Sequence, residues 1–156
     1  MTALSSYLKE EASAIDLCSK RISSTEVERS LSILTECFKN KGKVVITGVG
    51  KSGIVGRKIA ATFSSIGLMS IYLNPLDALH GDIGLVCEND ITIILSNSGE
   101  TQEILDMIPH LKKRGSKVIG ILGSKTSTLM KHCHSFLDGS ADKESCPLNI
   151  IPTAST

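Results

Sequence analysis

The spacing of hydrophobic positions changes near residue 42, from a helical period to short apolar runs. Before that point Leu4, Leu8, Ile15 and Cys18, with Ala12 beside them, fall near one helical face and predict a first helix, interrupted at residues 21–24. Val27, Leu31, Leu34 and Phe38 form the stripe of a second helix, with Thr25 and Glu28 as a capping box and residues 40–42 as its end. After it, β-branched runs predict strands at residues 43–47, 70–73, 91–96, 117–122 and 135–137. Helical patterns separate them. Residues 54–66 form one, closed by Gly67, and Asn74 with Pro75 caps a short turn leading to Leu79-His80-Gly81-Asp82. A helix from Thr101 carries Ile104, Leu105, Ile108 and Leu111, then a cationic last turn and Gly115, and a short helix is expected near residues 126–133. Strands alternating with helices predict an α/β fold, a doubly wound parallel sheet whose ligands sit at the carboxyl ends of its strands.

The run from Asp90 to Thr101 is the most informative stretch. A buried strand breaks into Ser96-Asn97-Ser98-Gly99-Glu100-Thr101 and turns into a helix. Unpaired backbone NH groups and the positive end of the helix dipole converge there, and Ser96, Ser98 and Thr101 add hydroxyls, a combination that suits a phosphate dianion. The competing reading is an ordinary strand-to-helix turn with a serine cap. The other glycine loop, Gly48-Val49-Gly50-Lys51-Ser52-Gly53, matches the G-x-G-x-x-G dinucleotide pattern. However, the next strand ends in Asn74 where a ribose-binding acid is expected, and Asp77 comes too late. A P-loop needs glycine at the place of Val45. What remains is a tight loop offering Lys51, either a solvated lysine or a contact for an anionic ligand or a carbonyl oxygen.

With 156 residues, 41% of them apolar, one domain with a useful core is expected. A net charge of +1 and five aromatic residues give neither a basic face nor a stacking platform for nucleic acid. Lys9, Glu10 and Glu11 stand where a signal peptide needs apolar residues, and no apolar run reaches membrane-spanning length, so the cytoplasm is the expected compartment. Five scattered cysteines suit reduced thiols, and His132-Cys133-His134 lacks the spacing of a zinc site.

Thr47-Gly48-Val49-Gly50-Lys51-Ser52-Gly53, His80-Gly81-Asp82-Ile83-Gly84, Ser96-Asn97-Ser98-Gly99-Glu100-Thr101 and Glu144-Ser145-Cys146-Pro147-Leu148, closing with Pro152-Thr153, resemble the sugar isomerase (SIS) domain. Within it they are most similar to bacterial arabinose 5-phosphate isomerases. The resemblance implies a flavodoxin-like three-layer fold, with residues 1–42 as N-terminal helices packing on a phosphosugar-binding domain at residues 43–156. It further implies interconversion of D-ribulose 5-phosphate and D-arabinose 5-phosphate on the way to the octulosonate of lipopolysaccharide or capsule. No organic cofactor or metal is implied, and the expected assembly is a homo-oligomer, dimer or tetramer. Such chemistry moves a proton between C1 and C2 through an enediolate and needs a tuned base and oxyanion stabilisation. By resemblance Lys51, His80, Glu103 and Glu144 are the catalytic candidates. Ser96, Asn97, Ser98, Gly99 and Thr101 are expected to hold the phosphate, and Gly50 and Ser52 to contact substrate. Read alone, Glu103 is equally a dipole-complementing surface acid, Glu144 a solvated loop acid and His80 a core or interface histidine. The family pattern continues past Thr156 with a further active-site histidine and a CBS pair. The chain as given is therefore expected to bind the sugar phosphate and to turn it over poorly. A non-catalytic phosphosugar-binding module is the alternative, since it needs only the hydroxyl loop.

Overall fold

The apolar runs after residue 42 pair into one parallel sheet in the order β2-β1-β3-β4-β5. Its strands are β1 (Val44–Thr47), β2 (Ser70–Tyr72), β3 (Ile91–Ser96), β4 (Lys117–Leu122) and β5 (Ser135–Asp138). The structure, a computed structural model, describes residues 3–145 and 153–155. The Cys146-Pro147-Leu148 stretch and Pro152 lie outside these. The helices are α1 (Ala3–Arg21), α2 (Ser24–Lys39), α3 (Lys51–Ser65), α4 (Pro75–Leu79) and α5 (Gln102–Lys113). Strand order reverses between β1 and β3, which makes the gap above them the topological switch point of a doubly wound sheet.

Alternation along each strand divides the core in two. Val45, Ile94 and Val118 face Ile104, Met107, Ile108 and Leu111 of α5. Val44, Ile46, Ile91 and Ile93 face Ile33 and Cys37 of α2 and Ala60 of α3. Every residue of β3 is buried, as befits a central strand covered on both sides. At the opposite edge from the switch point, the buried Asp90 carboxylate accepts from the Lys43 amide at 2.9 Å and the Cys87 amide at 2.7 Å and pairs with the Lys43 ammonium.

Several elements differ from the sequence expectation, each for a local reason. The cap of α2 is Ser23, whose hydroxyl accepts from the Glu26 amide at 3.4 Å, and not Thr25. Glu26 is then drawn to β5, accepting from the Ser135 hydroxyl at 2.9 Å and the Phe136 amide at 3.0 Å. The buried face of α2 is Ser30, Ile33 and Cys37, while the expected stripe residue Leu31 is 56% exposed. In α1, Leu4 (68%), Leu8 (58%) and Ile15 (70%) are exposed, outside both cores. α3 starts at Lys51, three residues earlier than expected, because Gly50 at φ +61° turns the chain straight from the strand into the helix. The expected helix near residues 126–133 is a short 3-10 turn, Leu129–His132.

Candidate functional site

The β3–α5 loop is built by its own hydroxyl groups. Ser96, 6% exposed, accepts from the Gly99 amide at 3.0 Å and lies 3.2 Å from the Thr101 hydroxyl. Ser98 accepts from the Glu100 amide at 3.2 Å. Gly99 sits at φ +67°, and a Cβ there would lie 2.3 Å from the Ser127 hydroxyl, so the loop accepts only glycine at this point. Neighbouring chain pins it from outside. The Gly99 carbonyl accepts from the Leu129 amide at 3.1 Å, and the Glu100 carboxylate from the Thr128 amide at 2.7 Å. That amide holds the Glu100 carboxyl below its ordinary range.

These bonds sort the expected phosphate ligands. The Ser96 hydroxyl is buried and committed to the loop, whereas Asn97 and Ser98 are exposed. Thr101 is half-buried at the cap of α5, and its side chain makes no bond to the helix backbone. The first amides of α5, at Gln102 and Glu103, have no preceding helical carbonyl to bond and point toward the loop side, at the positive end of the helix dipole.

The first glycine loop is held by Tyr72, whose hydroxyl donates to the Gly48 carbonyl at 2.7 Å while the Arg57 guanidinium lies 4.1 Å from its ring centre. A Cβ on Gly53 would come within 2.8 Å of that same carbonyl, so the start of α3 packs directly on the loop. Gly50 and Lys51 are exposed, and Ser52 is half-buried. Thr47, at the end of β1, is fully buried with its hydroxyl unbonded among the described residues.

A cleft of about 280 Å³ opens between these loops. Ser52, Ser96 and Asn97 line it, over an apolar floor of Val55, Leu95 and Ile121. Lys51, His80, Glu103 and Glu144 are not among its lining residues. The floor belongs to the α2/α3 side of the sheet, whereas α4 and α5, which carry His80 and Glu103, cover the other side. His80 is exposed at the C-cap of α4, and Glu103 is half-buried in the first turn of α5.

Two lining residues, Ala154 and Ser155, escaped the sequence reading. They are held by Glu144, which is not the solvated loop acid it resembles in sequence. Its carboxylate accepts from the Thr153 amide at 2.7 Å, the Thr153 hydroxyl at 3.1 Å, the Ser155 amide at 3.2 Å and the Ser155 hydroxyl. Burial works against the charge, but these donors outweigh it and bring the carboxyl down to about 2.

The histidine–cysteine run is engaged elsewhere. His132 meets Lys112 at 3.1 Å, His134 accepts from the Val118 amide at 2.9 Å, and burial pushes the Cys133 thiol up to about 11. Among the described residues no group of His, Cys, Asp and Glu is placed to hold a metal ion. No described helix is long and apolar enough to cross a membrane.

Comparison with known proteins adds an independent line. The SIS domain family matches residues 37–155. The arabinose 5-phosphate isomerase KpsF of Escherichia coli O6:H1 is 40% identical over all 156 residues, which span 47% of that protein. The arabinose 5-phosphate isomerase KdsD of Pseudomonas aeruginosa is 42% identical over 146 residues, 94% of this chain and 44% of that one. The chain thus spans about half the length of these curated relatives. Among solved structures, a Listeria monocytogenes protein superposes with a TM-score of 0.91 at 33% identity, covering 98% of this chain and 78% of that one. An Escherichia coli CFT073 protein in complex with arabinose 5-phosphate gives 0.83 at 38% identity, covering 98% and 77%. A profile match over most of the length and a parallel sheet in the order 2-1-3-4-5 agree: the chain belongs to the SIS domain family.

Proposed function

We propose that this chain carries the sugar-phosphate site of an aldose–ketose isomerase interconverting D-arabinose 5-phosphate and D-ribulose 5-phosphate. The supporting observation is the β3–α5 loop, folded by its own serines and pinned at the switch point, in a chain 40% identical to an arabinose 5-phosphate isomerase. The likeness to a protein in complex with arabinose 5-phosphate points the same way.

In this reading Ser98, Asn97 and Thr101 bind the phosphate together with the first amides of α5, and Ser96 and Gly99 hold the loop in shape. A group bound there extends its sugar past Ser52 and Gly50 towards Lys51. The Lys51 ammonium stabilises negative charge on the substrate oxygen as the C2 proton leaves, and Glu103 and His80 are the groups that take the proton and return it at C1. No organic cofactor or metal is required for such an enediolate path. The protein is placed in the cytoplasm, as a homo-oligomer, on a route to octulosonate for lipopolysaccharide or capsule.

Release of the C2 hydrogen of arabinose 5-phosphate into deuterated solvent tests the reading. Exchange that Glu103→Gln abolishes is the expected result. Tight binding with no exchange would instead favour a phosphosugar-binding module, a reading that gains from Lys51, His80 and Glu103 standing outside the cleft lining.

A further inference from the structure

Glu144 and the segment 153–155 are joined by a set of hydrogen bonds. The carboxylate accepts four hydrogen bonds from Thr153 and Ser155. The Thr153 hydroxyl in turn accepts from the Ser145 amide at 2.8 Å, so the chain on both sides of the set is tied to the same threonine. Ala154 and Ser155 then stand in the wall of the cleft that Ser52 and Asn97 also line. An ionised carboxylate offers about four lone-pair sites. Three of the donors fall on Oε2 and the Ser155 hydroxyl on Oε1, and the carboxylate they hold is not among the residues that line the cleft.

We infer that Glu144 is a positioning residue, which fixes Ala154 and Ser155 as one wall of the sugar-phosphate cleft and does not itself carry the proton. The inference rests on the sugar-phosphate reading given above. A carboxyl held at about 2 is also a weak base at neutral pH, in keeping with this role.

Two substitutions separate positioning from proton transfer. Glu144→Ala removes every acceptor. Glu144→Gln keeps one acceptor oxygen for the Thr153 amide and brings an NH₂ that the Ser155 hydroxyl can accept, but it cannot take a proton. Three measurements are made on the whole chain: hydrogen exchange of the Thr153 and Ser155 amides, calorimetric affinity for arabinose 5-phosphate, and exchange of its C2 hydrogen. Glu144→Ala is expected to speed exchange of both amides about tenfold or more and to weaken affinity about fivefold or more. Glu144→Gln is expected to retain C2 exchange at saturating sugar phosphate within about tenfold.

Abolition of C2 exchange in Glu144→Gln, with both amides still protected and affinity unchanged, would overturn the inference in favour of a proton-transfer role. Unchanged protection of both amides in Glu144→Ala would overturn it as well. Failure of the unaltered protein to bind arabinose 5-phosphate would refute the sugar-phosphate reading instead. In that case the amide measurement alone decides whether Glu144 holds the segment.

Discussion

Ser96 and Ser98 are two positions apart, and the sequence offers no means of telling them apart as ligands. The structure separates them by burial, since Ser96 closes the loop on the Gly99 amide while Ser98 stays exposed. Hydrogen bonds to a charged group are worth roughly 1.5 to 3 kcal/mol, so Ser98→Ala should weaken sugar-phosphate binding about tenfold or more in calorimetry, with the melting temperature unchanged. Ser96→Ala leaves a buried amide without its acceptor, at a cost of about 1 to 3 kcal/mol. It should lower the melting temperature by several degrees as well as weakening binding. Equal melting temperatures for the two variants would contradict this division. At the far edge of the sheet, Asp90→Ala strands the Lys43 ammonium and two backbone amides together. Loss of one partner from a buried pair costs about 3 to 5 kcal/mol, which chemical denaturation would read directly.

Among the elements, the Glu144 segment has a pH dependence that its local sequence does not suggest. The folded-state value of about 2 lies below the ordinary 4.5, so the tie to Thr153 and Ser155 is fully present above about 4.5. It is lost progressively as pH falls from 4.5 towards 2. The cleft on the α1 side of Glu144 is lined by Glu10, Arg21, Asp142 and Lys143, and Arg21 is itself paired with Asp142 at 2.7 Å. Hydrogen exchange of the Thr153 and Ser155 amides should therefore accelerate as pH falls from about 4.5 towards 2, beyond the intrinsic trend, before the sheet amides of β3 respond. Simultaneous loss of protection in β3 would show that the segment has no separate transition.

For the whole molecule, the exposed apolar side chains of α1 are the feature that packing among the described residues does not explain. Leu4, Leu8 and Ile15 are each more than half exposed, on a helix that belongs to neither core. Burying such faces against a second copy is the proposed source of self-association. Light scattering at micromolar concentration should give at least a dimer. Changing Leu4, Leu8 and Ile15 together to serine should shift it towards monomer, leaving the far-ultraviolet circular dichroism of the sheet domain largely intact. A monomer before substitution would remove α1 as the interface.

The sheet and its helices were legible in the chain because strand and helix periods are local properties. Val44–Thr47, Ile91–Ser96 and Lys117–Leu122 are apolar runs too short and too β-branched to read otherwise, and the capped helices between them force parallel pairing. The Ser96–Thr101 loop was legible for the same reason, as hydroxyls and a glycine at a strand-to-helix junction. Tertiary structure decided the rest. Cooperation of Ser23 with Glu26 displaced the Thr25 cap, because β5 draws the Glu26 carboxylate from a hundred residues away in sequence. Leu31 faces outward because α2 lies on the sheet through Ile33 and Cys37, a rotation that an apolar stripe alone does not fix. Glu144 could be read from sequence only as a loop acid. Its four donors come from nine and eleven residues further along, and no periodicity records a contact between two irregular segments.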